Sequence, residues 1–269
     1  MNTYLSLLEK SKTIPNFYCS EEYRKKSGIV EKQGRTWVYW YMGGCVIAPP
    51  VNNITGEPLH IFNPLISSVW SDFPDWIMPG LSTSKFLDYE FIFDPKSFLK
   101  MEGGEWQTFR KNCKKFPRRF QKGLLSYDSI DKLYCLKGAK CIEERLNQVM
   151  IDWLDSMGPN TEIQDDDVMI KYLLHGKNRK ILHDSKGYIY GVNIWDENWK
   201  YINYRFCICK KEDFLSEYMR YLFYTDSIIQ AKNKLVNDGG SVGNIGLEKF
   251  KRKMNPIVVR EVKSWFKME

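Results

Sequence analysis

The stretch Gly187-Tyr-Ile-Tyr-Gly-Val-Asn-Ile-Trp195, then Asp196-Glu-Asn198, then Trp199-Lys-Tyr-Ile-Asn-Tyr-Arg-Phe-Cys-Ile-Cys209, decides the fold class. Two runs rich in β-branched and aromatic residues flank a short polar turn, the pattern of an antiparallel hairpin. Strict alternation along the second run places Ile202, Tyr204, Phe206 and Ile208 on one face and gathers Asn203, Arg205 and Cys207 on the other. Lys180 to Asp184 reads as a further short strand, so the region is a meander rather than an isolated hairpin.

Helical patterns bracket that meander. Upstream, Ala139 to Met157 carries Ile142, Leu146, Val149, Met150, Trp153 and Leu154 on one stripe and ends at Gly158-Pro159-Asn160. Asp165-Asp166-Asp167 reads as N-capping for a helix over Val168 to Leu174. Downstream, Asp213 to Lys232 reads as one helix with Phe214, Leu215, Tyr218, Met219, Leu222 and Phe223 inward. Leu235 to Asn237 follows as a short strand and Ile245 to Lys253 as a last helix. The first hundred residues are strand-rich after a helical opening at Tyr4 to Ser11. They hold strands at Arg35–Met42, Cys45–Ala48 and Leu87–Phe93, with a break at Gly43-Gly44. Val51 to Ser84 is a proline-rich, loop-like segment holding Trp70, Phe73 and Trp76. Between the two regions, Trp106, Phe109, Cys113, Phe116 and Phe120 make a helical stripe that Pro117 kinks or ends.

The chain has 269 residues, 43% of them hydrophobic and 15% aromatic, enough to fill a substantial core and to exclude general disorder. No apolar run approaches the roughly 18 residues that span a bilayer. The first twenty residues lack signal-peptide form, so the expected location is the cytoplasm. Seven scattered cysteines without a C-x-x-C pair and only three histidines argue for reduced thiols and against a metal site. Forty basic against 33 acidic residues give a net charge of +7, which favours phosphate-bearing partners.

Three constellations offer chemistry. Seven Lys or Arg between positions 110 and 122, Arg110 and Lys114 among them, make a basic helix that either contacts phosphates or is simply a solvated face. The loop Asn237-Asp-Gly-Gly-Ser-Val-Gly-Asn-Ile-Gly-Leu247 is either a plain turn or, at a helix start, an anion cradle; no P-loop or dinucleotide fingerprint is present. Asp226 falls four residues after Leu222 and three before Ile229, on the inward stripe. It is read either as a general base or as one half of an ion pair, for which Arg205 is a candidate.

Two of these stretches resemble a known family. Asp88-Tyr-Glu-Phe-Ile-Phe93, with Phe98-Leu99, Gly103 and Phe109-Arg-Lys-Asn112-Cys-Lys-Lys-Phe116, resembles the motif opening the second half of the phosphatidylglycerol lysyltransferase C-terminal family. Asn237-x-x-x-Ser241-Val-Gly243-x-x-Gly246-Leu-x-x-Phe250-Lys251, followed by Pro256, is similar to its C-terminal signature. The resemblance implies a tandem GNAT-like (acyl-CoA N-acyltransferase) fold of the α/β (α+β) class, with mixed, mostly antiparallel sheets flanked by helices. It implies a strand-rich N-terminal half over 1–95 and a second half over 96–269, with the break near Asp94 to Ser97. It further implies a soluble acyl or aminoacyl transferase whose activated donor is aminoacyl-tRNA or acyl-CoA and whose acceptor is an amine or hydroxyl, including a modified DNA base. Partners would then bear phosphate: tRNA, DNA or CoA. Arg110, Lys114 and Lys251 would contact phosphates, Asn112, Asn237 and Arg205 would position substrate, and Asp226 would act as base. The sequence departs from the pattern in three ways. Ser241 replaces an acidic residue, the CoA pyrophosphate loop is missing after Cys209, and no membrane helices are present. These departures also suit a non-catalytic nucleic-acid-binding protein on the same scaffold.

Overall fold

The computed structural model describes residues 3–12, 15–42, 45–57, 68–71, 83–121, 124–157, 166–241 and 243–266. Phe73, Trp76, Gly43-Gly44, Lys122, Gly158-Pro159-Asn160, Asp165 and Val242 lie outside them. Eleven strands form one mixed sheet: β1 (Val30–Gln33), β2 (Trp37–Met42), β3 (Cys45–Asn52), β4 (Ser68–Ser71), β5 (Thr83–Phe93), β6 (Leu125–Ser129), β7 (Asn178–Asp184), β8 (Ile189–Glu197), β9 (Tyr201–Cys209), β10 (Leu235–Asn237) and β11 (Val258–Phe266). Their spatial order is β1-β2-β3-β4-β11-β5-β10-β9-β8-β7-β6. Among the described residues only β3/β4 and β9/β10 pair in parallel, so the sheet is mostly antiparallel, as expected.

Helices cover both faces. α1 (Tyr4–Lys10), α2 (Glu21–Ser27), α5 (Ile130–Lys137), α6 (Ala139–Met157) and α7 (Asp166–His175) supply Leu7, Tyr23, Ile130, Ile142 and Tyr172 to one core, which meets Ile181, Ile194 and Ile208 of the sheet. α3 (Pro95–Lys100), α4 (Gln107–Asn112), α8 (Leu215–Thr225), α9 (Ser227–Ala231) and α10 (Ile245–Arg252) lie along the rest of the chain. Phe98, Phe109, Phe223 and Ile229 build a second core with Phe91, Phe93, Trp195 and Tyr204. Ile194 and Trp195 are adjacent yet belong to different cores, so the two cores lie on opposite faces. Aromatic stacking binds the second: Phe98 lies 4.0 Å from Tyr224, and Tyr204 lies 4.1 Å from Phe223.

Several expectations are corrected. The helix expected to kink or end at Pro117 already stops at Asn112, and a 3-10 turn over Pro117–Arg119 follows. A proline ring clashes with the carbonyl four residues back, here Cys113, where the helix ends. The inward stripe survives through the turn, because Trp106, Phe109, Cys113 and Phe116 are all buried. The single helix read over 213–232 is two, broken at Asp226, whose extended backbone ends α8 and whose side chain caps α9. The polar turn read at Asp196 begins later: β8 runs to Glu197, and Asn198 Oδ1 accepts from the amides of Lys200 (3.0 Å) and Tyr201 (2.7 Å).

Alternation along β9 is also broken. Opposite β8 the register passes from Ile194↔Phe206 to Trp195↔Tyr204, leaving Arg205 as an extra residue, a β-bulge. Tyr204 therefore faces the second core while Phe206 and Ile208 face the first, with Arg205. Within the loop-like segment, β4 and the start of β5 are strands. The sequence reading ended with a helix, whereas β11 follows it and pairs with β5 from Thr83 to Ile92 and with β4 from Ser68 to Ser71.

Candidate functional site

β10 pairs with β9 over three residues, Leu235–Asn237 against Tyr201–Asn203. β10 then stops and its chain turns into the glycine loop, while β9 continues to Cys209. The two parallel strands thus cease to pair beyond Asn203 and Asn237, and Tyr204 to Cys209 of β9 run on past the end of β10.

The loop after β10 is fixed from three sides. Asn237 donates to Glu90 Oε2 (3.0 Å) and accepts the amide of Gly239 (2.9 Å). Glu90 also accepts from the Phe17 amide (2.8 Å) and pairs with Arg260 of β11. Gly239 has φ +62°, and Gly240 has no room for a side chain: a Cβ there would lie 2.1 Å from an Asp88 carboxylate oxygen and 2.7 Å from the Tyr89 carbonyl. Ser241 donates to Asp88 Oδ1 (2.9 Å), so a hydroxyl–carboxylate contact stands where the family pattern has an acidic residue. α10 starts beyond, capped by Asn244, whose Oδ1 accepts from Leu247 (3.0 Å).

Lys251 lies on the buried stripe of α10 and reaches back beneath this loop. Its ammonium donates to the carbonyls of Asp238, Gly239 (3.3 Å) and Gly240 (2.7 Å) and pairs with the Asp238 carboxylate (3.0 Å). Burial lowers its pKa, an effect Arg220 reinforces and Asp238 opposes. Asp238 also accepts from Tyr224 (3.0 Å) and faces Arg220 of α8 at 3.4 Å. Arg220 is buried, yet its nearest bonds are all long, and Nε finds no hydrogen-bond partner.

From Arg220 a polar layer runs between α8 and the sheet. Tyr204 lies under the Arg220 guanidinium (5.5 Å) and donates to Asn193 Oδ1. Asn193, fully buried, donates to the Tyr127 hydroxyl (2.8 Å) and to the Met219 carbonyl (2.8 Å). Lys180 sits over the Tyr127 ring (5.3 Å) and pairs with Asp226. Cys207, half-buried, borders the same layer. Hydrogen bonding from Cys209, helped by Arg220 and Tyr204 against burial and Asp238, lowers its pKa to about 7.

The residues singled out from sequence are distributed as follows. Asn112 donates to Glu217 of α8 (3.1 Å), three residues before Arg220, so α8 connects the Asn112 region to the glycine loop. Arg110 donates to the Met101 carbonyl. Lys114 is exposed, as are Lys111 and Arg118, whereas Arg119 pairs with Glu212 (3.2 Å) and Asp213 (3.6 Å), and Lys115 covers Phe214 (3.9 Å). Asp226 pairs with Lys180, not with Arg205.

Arg205 lies on the other face, fully buried against Asp196 (2.7 and 2.9 Å) and sandwiched between Phe17 (4.4 Å) and Tyr23 (4.5 Å). Asp196 also accepts from Ser20 (2.7 Å), Asn203 (2.9 Å) and Tyr172. Sequence reasoning passed over Asp238, Arg220, Asn193 and Cys207 as site residues. Asp238 lies inside the quoted loop, and Lys251 stands on an apolar stripe between Leu247 and Met254, the same kind of signal that drew notice to Asp226. Among the described residues no cluster of side chains suits a metal ion, and no helix is long and apolar enough to cross a membrane.

No protein-family model matches the chain, and no curated protein matches it. Solved structures do. A conserved protein of unknown function from Bacteroides thetaiotaomicron VPI-5482 is 14% identical, with a TM-score of 0.64 over 94% of this chain and 90% of that one. The C-terminal DUF2156 domain of a putative lysylphosphatidylglycerol synthetase from Agrobacterium fabrum is 11% identical, with a TM-score of 0.63 over 99% and 92%. L-PGS from Bacillus licheniformis is 13% identical, with a TM-score of 0.59 over 98% and 86%. This mixed, mostly antiparallel sheet between two layers of helices is therefore a GNAT-like fold, shared along nearly the whole chain with a lysylphosphatidylglycerol synthetase domain.

Proposed function

We propose that the protein is an acyl transferase of the aminoacyl type, moving an activated amino acid to an amine or hydroxyl. The observation that carries this reading is the parting of β9 and β10, with the polar layer of Arg220, Asp238, Tyr204 and Asn193 beside its mouth. An acyl group held where the strands part would face these fixed dipoles, with the acceptor beside it, so the rate gain would come from positioning and preorganised charge. Asp226 would take the acceptor's proton and Lys180 would hold its carboxylate in place. Residues 1–95 and 96–269 are read as two GNAT-like halves sharing the sheet.

The donor we favour is an aminoacyl ester of tRNA. Glu212, Asp213 and Glu217 crowd the start of α8, an acidic setting poorly suited to the pyrophosphate of CoA. Lys111, Lys114 and Arg118 are exposed and suit a nucleic-acid backbone.

The test is transfer of label from bulk tRNA charged with radioactive amino acids. Acceptors to present are phosphatidylglycerol vesicles, short peptides and hydroxymethylated DNA, with an acyl-CoA panel as the alternative donor. The expected result is enzyme-dependent label in one acceptor. Label that stays on tRNA with every acceptor, while the protein still binds tRNA in a salt-dependent manner, would instead identify a binding module.

A further inference from the structure

Residues 15 to 20 cross the sheet where β9 and β10 cease to pair, and they meet its strands in their spatial order. The Pro15 carbonyl accepts from Arg260 of β11 (3.4 Å), and the Phe17 amide donates to Glu90 of β5 (2.8 Å). The Phe17 ring then reaches Gly239, just past β10, and Arg205 of β9, and Ser20 donates to Asp196 of β8 (2.7 Å). Gly239 and Arg205 each stand two residues beyond the last pair, Asn237↔Asn203. One ring therefore bridges both chains at the point where they separate. Its far edge, Cε1, Cζ and Cε2, would lie 3.0 to 3.2 Å from a Cβ at position 239, and its face covers the Arg205 guanidinium at 4.4 Å. The ring is held in place from behind. Arg205 is fully buried, bound through two nitrogens to Asp196 (2.7 and 2.9 Å), and stacked against Tyr23 (4.5 Å) as well. Glu90, which anchors the Phe17 backbone, also bonds Asn237 and Arg260. Phe17 itself is only half-buried, so part of this fixed apolar surface stays uncovered. A close-packed, unyielding surface limits the size of whatever lies against it.

Building on the transferase reading above, we propose that Phe17 is a specificity-determining residue that restricts the transferred amino acid to small side chains, such as those of glycine, alanine and serine. The polar layer of Arg220 and Tyr204 lies on one face of the sheet where the strands part. An acyl carbonyl turned toward that layer directs the substituent on its α-carbon to the opposite face, which the Phe17 ring occupies. A methyl or hydroxymethyl group meets the ring in ordinary van der Waals contact. A branched or aromatic side chain has to displace it, and displacement strips the buried Arg205 guanidinium of one of its two ring covers. Apolar contacts of this kind separate side chains that differ by one methylene by roughly 10- to 200-fold.

The experiment measures calorimetric binding of 3′-aminoacylamino-3′-deoxyadenosines, non-hydrolysable mimics of the aminoacyl ester, to the full chain. The probes carry glycyl, alanyl, leucyl and phenylalanyl groups. Glycyl and alanyl probes are expected to bind at least about tenfold more tightly than the other two. Phe17→Ala, and Phe17→Leu, which keeps an apolar cover on Arg205, should each shrink that ratio at least about tenfold by strengthening the two larger probes. Tyr188→Ala, which truncates an exposed ring elsewhere, leaves the ratio unchanged. Lost stability alone would weaken all four probes alike, so the ratio reports the size limit. Equal affinities in the wild type, a ratio that neither variant moves, or no binding of any probe overturns the proposal. So does transfer of labelled amino acids from tRNA with one size profile in wild type and variants, an outcome that leaves the transferase reading intact. A Phe17-dependent ratio in binding, with label in no acceptor, supports the size limit and counts against the transferase reading alone.

Discussion

Lys251→Met separates two roles for one cation. As a phosphate contact, the role the sequence suggests, Lys251 would project outward and its loss would leave stability unchanged. In the structure its ammonium joins Asp238 to the carbonyls of Gly239 and Gly240, in a place 4% exposed. Methionine keeps most of the stem's apolar contacts but leaves these acceptors without their donor. Each orphaned buried carbonyl costs about 1 kcal/mol or more, and removing one member of a buried ion pair costs about 3 to 5 kcal/mol. Asp238 retains Tyr224 and Arg220, so the lower end applies, about 3 kcal/mol. For a chain of 269 residues that amounts to a fall in Tm of about 5 °C, read by calorimetry or near-ultraviolet circular dichroism. A fall under about 2 °C, with weakened tRNA binding, would refute the loop-anchoring role and restore the phosphate contact.

Arg205→Met should destabilise by about 3 to 5 kcal/mol by stranding Asp196, and combining it with Asp196→Asn should cost less than the two separately, as a double-mutant cycle in urea would show. Gly240→Ala forces a methyl group onto Asp88 and the Tyr89 backbone and should cost about 2 kcal/mol or more, measured by the same unfolding transition. Asp226→Asn keeps an N-cap for α9 but leaves the part-buried Lys180 ammonium without its carboxylate, so it should cost about 3 kcal/mol and, if Asp226 is the base, reduce transfer at least tenfold in protein that is still folded; unaltered transfer would assign it to capping and to Lys180 alone.

Much of the fold is legible in the sequence wherever the determinants are local. α6 spans the residues expected because Ile142, Leu146 and Val149 repeat on one helical stripe between clear stops. The meander is legible because β-branched and aromatic runs flank a polar turn. What escapes depends on distant partners. β11 carries Arg260, Glu261 and Lys263, which dilute its apolar pattern, and Arg260 is matched by Glu90 of β5, 170 positions away. The bulge at Arg205 is set by the demand of Asp196 for a cation on the first core's side, which alternation alone does not encode. The same holds at the site: Asn237 is visible in a motif, but Asn193 reads as an ordinary strand residue until Tyr127, Tyr204 and Met219 converge on it.

The placement of β11 between β4 and β5 bears on how the protein matures on the ribosome. Residue 258 is synthesised 165 positions after residue 93. At about 5 to 20 residues per second, the long edge of β5 waits roughly 10 to 30 s for its neighbour. Throughout that interval an eleven-residue strand offers unsatisfied backbone amides to any passing chain. Nascent protein halted before β11 should therefore recruit holdase chaperones and aggregate, even with the whole hairpin meander already emerged.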